Sequence, residues 1–181
     1  TFKDGTIRSY DSNLFPTLDK GEIVVEEGVL LVKETGSLGT SAGYTTVSNG
    51  ASIVFNVAAS NGAKFYGEVF QISGDGAGGE GGAFVNLGAG LTSACFRYLT
   101  LLGDARLRAW GELSIYAGVV NLNGHTLTLA VRNVNSSGQT SWDYSLSFTR
   151  SEVKNPGHIV LDAGKLAISG RTLSDGKAIW Y

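Results

Sequence analysis

Four side chains that could bind or transform a ligand stand at every second position of one short segment. They are Asp104, Arg106, Arg108 and Trp110, and small or apolar residues separate them. Alternate residues of a strand point to opposite faces, so the four are predicted to form one outward row. An arginine beside a tryptophan suits stacking on sugar rings. Glycoside hydrolysis needs two carboxylates, and the row holds one. We therefore interpret the row first as a solvated strand face and second as a candidate glycan-contacting face, with catalysis ranked last.

The glycine-rich run Gly74–Gly82 is a second candidate site. Glycine-rich turns can direct backbone N–H groups at anions, but the phosphate-loop pattern needs a lysine that does not follow here. Asp75 and Glu80 bring two carboxylates, well short of the roughly six to eight oxygens that calcium takes. We predict a tight corner or a mobile loop rather than a ligand site.

The other reactive residues are few. His125 follows an Asn-Gly pair and His158 begins an apolar segment, and neither belongs to a metal or hydrolase motif. We expect both histidines at exposed turns, and Cys95, the only cysteine, as a small buried filler. Asn135 begins a formal glycosylation motif, which is short enough to arise by chance. We therefore predict no catalytic residue, no cofactor and no metal.

The scaffold of the outward row is predicted from residues 99–131. Apolar residues recur there at every second position, in short groups: Leu99 and Leu101; Ala105, Leu107 and Ala109; Leu113 and Ile115; Val120 and Leu122; Leu127, Leu129 and Val131. Glycines between the groups permit sharp turns, and the spacing leaves no room for crossover helices. The pattern predicts an all-β parallel solenoid with about three short strands per coil of roughly 20 residues.

Structural turns are predicted at glycine and asparagine positions along the chain. These are Gly28, Gly50, Gly103, Asn123, Gly124 and Gly164. Asn121 and Asn123 could also join an asparagine ladder, in which stacked turn residues hydrogen-bond from coil to coil.

Composition agrees with this architecture. The chain has 181 residues, which suits one domain, and its 26 glycines, two prolines and absent methionine indicate many tight turns. The net charge is −2 and the basic residues are scattered along the sequence, so no basic patch is predicted that would bind nucleic acid or a membrane surface. No segment reaches the roughly 18 apolar residues of a membrane helix. Because the sequence begins with Thr1 and contains no methionine, we expect a processed chain or an excised fragment.

Three segments are predicted: an N-terminal edge or cover at 1–20, a β-helix at 21–170, and a C-terminal strand or cut end at 171–181. Within the second segment, GEIVVEEGVLLV at 21–32 aligns without a gap with GHIVLDAGKLAI at 157–168. The glycine hinges Gly28 and Gly164 coincide in the alignment. We interpret this as a long-period repeat, with one full unit plus the end of the preceding one, and expect both copies on equivalent sides.

Four motifs follow one another between residues 45 and 170. They are ISGDGAGGEGGA at 72–83, LTL with GDA at 99–105, LNG with TLT at 122–128, and IVLDAGKLAISG at 159–170. In this order they resemble the autotransporter-associated β-strand repeat of large bacterial surface proteins. The resemblance implies a right-handed, single-stranded parallel β-helix on the passenger side of a secreted or surface-attached protein.

We accordingly expect a structural or adhesive stalk or passenger segment at the bacterial surface or outside the cell, and not an enzyme. Expected partners are neighbouring repeats of the same or an identical chain, and surface glycans. One alternative is a self-assembling extracellular filament, stacked through the apolar terminus Ile179, Trp180 and Tyr181. The other is a carbohydrate-binding or polysaccharide-cleaving β-helix with its site at Arg106 and Arg108.

Overall fold

A computed structural model describes most of the central chain. The described residues are 22–33, 38, 43–56, 65–87, 96–110, 113–131, 133–134, 140–141, 146–169, 171–172 and 178–179. Segment 1–20, Cys95, the Asn135 motif, Trp180 and Tyr181 lie outside them. All regular structure within these ranges is β-strand, with no helix, so the all-β prediction is confirmed there.

The strands of the described residues are short, with three longer ones near the middle. In chain order they are β1 (Ile23–Val25), β2 (Gly28–Val32), β3 (Thr45–Val47), β4 (Ala51–Phe55), β5 (Phe65–Gly74), β6 (Phe84–Asn86), β7 (Phe96–Ala109), β8 (Leu113–Asn121), β9 (Thr126–Val131), β10 (Asn133–Val134), β11 (Thr140–Ser141), β12 (Leu146–Thr149), β13 (Glu152–Lys154), β14 (His158–Ala163), β15 (Leu166–Ser169), β16 (Arg171–Thr172) and β17 (Ala178–Ile179).

One parallel sheet holds thirteen of the described strands. Its main hydrogen-bonded path runs β1-β3-β5-β7-β6-β4-β2, so the sheet curls back on itself at β7. The remaining strands form two small antiparallel pairs, β10 with β11 and β16 with β17.

The parallel pairs fall into three ladders, each a stack of neighbouring strands. Ladder 1 stacks β1, β3, β5, β7, β8 and β13. Ladder 2 stacks β2, β4, β6, β7, β9 and β14. Ladder 3 stacks β5, β7, β8, β12 and β15. The long strands pass through more than one ladder: in β7, Phe96 pairs in ladder 3, Tyr98 to Leu101 in ladder 1, and Ala105 to Ala109 in ladder 2. We call one passage through the ladders a coil.

The core is made of inward columns, in which equivalent residues of successive coils stack. One column of ladder 2 runs through Leu30, Ile53, Phe84, Leu107 and Leu129, all of them buried. Every apolar position predicted to face inward between 99 and 131 is buried, which confirms the period-two prediction there. Each fully buried Leu, Ile or Phe side chain contributes about 1.5–3 kcal/mol relative to exposure.

The corners between ladders use left-handed backbone where the sequence predicted turns. Asn123 and Gly124 have φ values of 50° and 85°, and the N–H of His125 donates to the carbonyl of Leu122 across the turn at 2.8 Å. Gly28, Gly50 and Gly164 also have positive φ, between 80° and 92°. Gly103 differs, because it lies inside β7, where the chain passes from ladder 1 to ladder 2 within a continuous strand.

The two aligned windows do not occupy equivalent sides, so that expectation is wrong. Ile23 lies in ladder 1 and Ile159 in ladder 2. Similarly, the strand after Gly28 lies in ladder 2 and the strand after Gly164 in ladder 3. Both windows are a strand, a left-handed glycine and a second strand. The same local pattern can form more than one corner of the coil. The sequence similarity of the two windows therefore indicates the same type of corner and not the same position in the coil.

Candidate functional site

The outward row lies on ladder 2 in the middle of the described chain. Ala105, Leu107 and Ala109 of β7 face the core and are at most 3% exposed. The alternate residues Arg106 and Arg108 face outward from the same strand and are half-buried. Asp104 and Trp110 continue the row at its two ends, and the backbone N–H of Trp110 donates to the backbone carbonyl of Asn86 at 2.8 Å.

Arg106 forms an ion pair that spans the neighbouring strand. It lies in register with Thr128 of β9, which in turn lies in register with Val160 of β14. Its guanidinium contacts the carboxylate of Asp162 at the far side, where the two side chains are 29% and 51% exposed. Asp162 therefore supplies a second carboxylate to this face. Sequence reasoning missed it because the strand pairing that brings it close has no local signal.

Arg108 joins the row to the glycine-rich segment. Its Nη1 donates to the backbone carbonyl of Glu80 at 2.8 Å. The guanidinium also lies over the Trp110 ring, 4.5 Å from the ring centroid, within the range of a cation–π contact. A Cβ built on Gly81 would stand 2.8 Å from Nη1, so this glycine lets the arginine lie close to the loop backbone.

The Gly74–Gly82 run is a closed loop fastened by a buried serine. Ser52 Oγ donates to the carbonyl of Gly82 at 2.8 Å and accepts from the N–H of Ala77 at 2.8 Å. Gly76 has φ +91°, and a Cβ there would lie 2.2 Å from the carbonyl oxygen of Gly82. The loop covers Ser52, which is fully buried although β4 directs it away from the core. The glycines thus allow the backbone at Gly76 to cross close to the backbone at Gly82.

Asp104 stabilises the corner of the following coil. Its Oδ1 accepts from the N–H of Thr126 at 2.8 Å and lies 3.8 Å from Nδ1 of His125. His158 is exposed and its N–H donates to the carbonyl of His125 at 3.1 Å. The His125 side chain is 35% exposed. Within the described ranges, no three His, Cys, Asp or Glu side chains gather into a candidate metal site.

The asparagines at the corner between ladders 1 and 2 make contacts between coils. Asn121 Oδ1 accepts from the N–H of Asn123 at 3.1 Å and from Nδ2 of Asn155 at 2.7 Å. Nδ2 of Asn123 donates to the carbonyl of Leu101 at 3.3 Å. Asn155, which sequence reasoning did not single out, is therefore the residue that extends this network to the next coil.

One carboxyl group and one hydroxyl group outside the row have shifted pKa values. Glu68 of β5 is 7% exposed, and burial raises the pKa of its carboxyl from 4.5 to about 7. The Tyr44 hydroxyl hydrogen-bonds Glu22, and this contact, with smaller contributions from desolvation and the nearby carboxylate charge, raises the pKa of Tyr44 above 10.0.

In chemical terms the outward row joins coils and holds a loop. Arg106 pairs with Asp162, Arg108 binds the loop carbonyl and stacks on Trp110, and Asp104 caps a corner. Among the described residues, no helix is long and apolar enough to cross a membrane.

Comparison with known proteins gives no relative for this chain. No protein-family model, no curated protein and no solved structure matches it.

Proposed function

We propose that the chain is a structural or adhesive segment of a right-handed parallel β-helix, of the autotransporter-associated repeat type, in a secreted or cell-surface bacterial protein. The observation that carries the proposal is the set of three parallel ladders, in which each coil stacks on the next with the apolar columns inside. A solenoid of this kind gains length by adding coils that contact only their neighbours, which suits a stalk. Right-handedness follows from the strong preference of parallel crossover connections for that hand.

The polar contacts of the outer surface support a structural role. The Arg106–Asp162 pair reaches across β9, so it links strands that are not themselves neighbours. Asn121 and Asn155 join the next coil on ladder 1, and the Ser114 and Ser147 hydroxyls, 2.7 Å apart, join β8 to β12 on ladder 3. Each of the three ladders therefore carries at least one side-chain contact between strands in addition to the backbone pairing.

The resemblance to the repeat family supports the same proposal at particular places. The ISGDGAGGEGGA motif coincides with the end of β5 and the loop that Ser52 fastens. The LNG motif coincides with the corner at Asn123 and Gly124, where φ is positive. Both motifs thus lie at a loop or a corner of the described ladders, which supports the proposal.

The stacking can be tested by disulfide trapping in a Cys95→Ser background. Thr128 and Val160 are in register on adjacent strands about 4.8 Å apart, within the range that a disulfide can bridge. The pair Thr128→Cys with Val160→Cys should cross-link under mild oxidation. Arg106→Cys with Val160→Cys is the control, because these positions are two strands apart and should stay reduced. Failure of the first pair in a folded protein would contradict the stacking.

The biological role needs a second measurement. Antibodies against the purified chain should label intact cells of the source bacterium or its culture medium. Labelling only after the cells are lysed would overturn the surface assignment. Cleavage of a polysaccharide by the purified chain, lost in Asp104→Ala, would replace the structural role with the enzymatic alternative.

A further inference from the structure

The outer face of ladder 1 carries a stripe that combines aromatic and aliphatic side chains. Val69, Tyr98 and Val119 lie in register on β5, β7 and β8. Tyr44 precedes Thr45, which pairs with Phe70, so Tyr44 lies beside Val69 at the other end of the stripe. Tyr98 is 40% exposed, whereas the next residue, Leu99, is 1% exposed and points into the core. The stripe is therefore a surface feature and not an extension of the core.

A column of uncharged polar side chains runs beside this stripe. Thr46, Gln71, Thr100 and Asn121 are in register on four successive strands, and all four are half-buried. Their hydroxyl and amide groups can both donate and accept hydrogen bonds. Thr46 already donates to Gln71 Oε1 at 3.3 Å, which orients part of the column.

Along these two columns charge is confined to the ends; Glu68 and Arg97, which precede Val69 and Tyr98, are buried and half-buried. At one end the Glu22 carboxylate accepts the hydrogen bond of Tyr44. At the other end Lys154 Nζ lies 3.2 Å from Glu152, so these two charges offset each other. Between the ends, the two columns hold no charged side chain. A nucleic acid would need cationic side chains here, and a protein partner would need an apolar centre wider than a single row of side chains. An uncharged, polyhydroxylated partner fits the face best.

The spacing along the ladder suits a chain-like ligand. Neighbouring strands are about 4.8 Å apart, so the two tyrosine rings, two strands apart, are separated by about 10 Å along the ladder. That distance is comparable to the length of two sugar units in an extended chain. Tyrosine rings can cover the apolar faces of sugars, while the adjacent polar column hydrogen-bonds their hydroxyl groups.

We propose that the outer face of ladder 1, formed by Tyr44, Val69, Tyr98 and Val119 with the polar column Thr46 to Asn121, binds an extended neutral polysaccharide aligned with the ladder. This face is distinct from the Arg106 and Arg108 row on ladder 2. This binding rests on the strand stacking of the proposed function and adds a ligand that a structural role does not require.

Isothermal titration calorimetry with soluble oligosaccharides tests the proposal. The probes are cellohexaose, xylohexaose and chitohexaose, with the matching disaccharides and polygalacturonate as comparisons. We expect at least one neutral hexasaccharide to bind, and its disaccharide to bind at least tenfold more weakly because it cannot reach both rings. No binding by any neutral hexasaccharide at millimolar concentration, or binding by polygalacturonate alone, would overturn the proposal.

Substitutions locate the binding to this face. Tyr98→Ala should weaken hexasaccharide binding at least tenfold, and Tyr98→Phe, which keeps the ring, should weaken it threefold or less. Tyr116→Ala is the matched control, since Tyr116 belongs to ladder 3 and contacts Arg150. Circular dichroism confirms that each variant is folded. Equal affinities of the wild type and folded Tyr98→Ala would refute the assignment, while the disulfide and surface-labelling tests of the proposed function would stand unaffected.

Discussion

Phe84 stacks on Phe55 of the neighbouring strand, with ring centroids 4.7 Å apart and ring planes inclined by 24°. The same ring meets Phe70 at 5.3 Å and Phe96 at 4.9 Å. Phe84 belongs to ladder 2, Phe70 to ladder 1 and Phe96 to ladder 3. The inward faces of all three ladders therefore meet at Phe84, and such aromatic contacts add stability beyond the buried area itself.

Replacement of Phe84 by alanine should lower the free energy of unfolding by about 3–5 kcal/mol, because it leaves a cavity among three other rings. Urea denaturation measures the loss. Leu161→Ala is the control in the same column, and because Leu161 is 45% exposed we expect it to cost less than about 1 kcal/mol. Equal losses at the two positions would contradict this account of the core.

Glu68 should make the stability depend on pH. Its folded pKa of about 7 lies above the ordinary value of 4.5, so between these values the folded state holds more protons than the unfolded state. Stability therefore falls as the pH rises from about 4.5 to 7, and the loss is complete above that range. Glu68→Gln should remove this slope, and at pH 8 it should be more stable than the wild type by about 3 kcal/mol.

The two proteins should be equally stable near pH 4, where Glu68 is protonated in both states. Urea denaturation at several pH values makes the comparison, with Glu27→Gln as a control at an exposed carboxylate. Parallel pH profiles for the wild type and Glu68→Gln would show that the carboxyl is not buried as described.

Alanine substitutions at three glycines distinguish the cost of backbone strain from the cost of a steric clash. Gly76 has φ +91° and no room for a Cβ, Gly124 has φ +85° with open space around it, and Gly78 has open space and no positive φ. Alanine should cost more than about 2 kcal/mol at Gly76, about 1 kcal/mol at Gly124 and almost nothing at Gly78. Thermal unfolding of the three variants measures the order, and a Gly76→Ala protein as stable as Gly78→Ala would be inconsistent with the crossing at Gly82.

The Arg106–Asp162 pair should contribute little to stability but measurably. Both side chains are partly exposed, so a double-mutant cycle with alanine should give a coupling free energy of up to about 1 kcal/mol. The coupling should decrease in high salt, because solvent screens exposed charges. Arg106→Ala with Glu152→Ala is the control cycle and should be additive. A zero coupling at low salt would mean that the pair does not form in solution.

The inward positions could be predicted from sequence because burial in a strand alternates, as Leu99 and Leu107 illustrate. Corners such as Asn123 and Gly124 were predictable for a similar reason, since few residues adopt left-handed backbone. Both signals are local.

The pairing between coils was not predictable in the same way. Asp162 reaches Arg106 only because of the register of three strands, which the segments between the strands set without a local pattern. The same limit explains why the windows beginning at Gly21 and Gly157 align in sequence but lie in different ladders. The stripe at Tyr98 was missed because its members are far apart in the chain and meet only by stacking.

Leu30 and Leu161 end one continuous column, yet Leu30 is 5% exposed and Leu161 is 45% exposed, although Leu129 beside it is fully buried. A side chain in this column is thus fully buried only where the next strand covers it. Local stability should decline toward β14 and β15. Unfolding should therefore start at these strands and proceed strand by strand toward β7. Contacts between successive coils supply most of the stability, so the resistance to unfolding differs between the two ends of the stack.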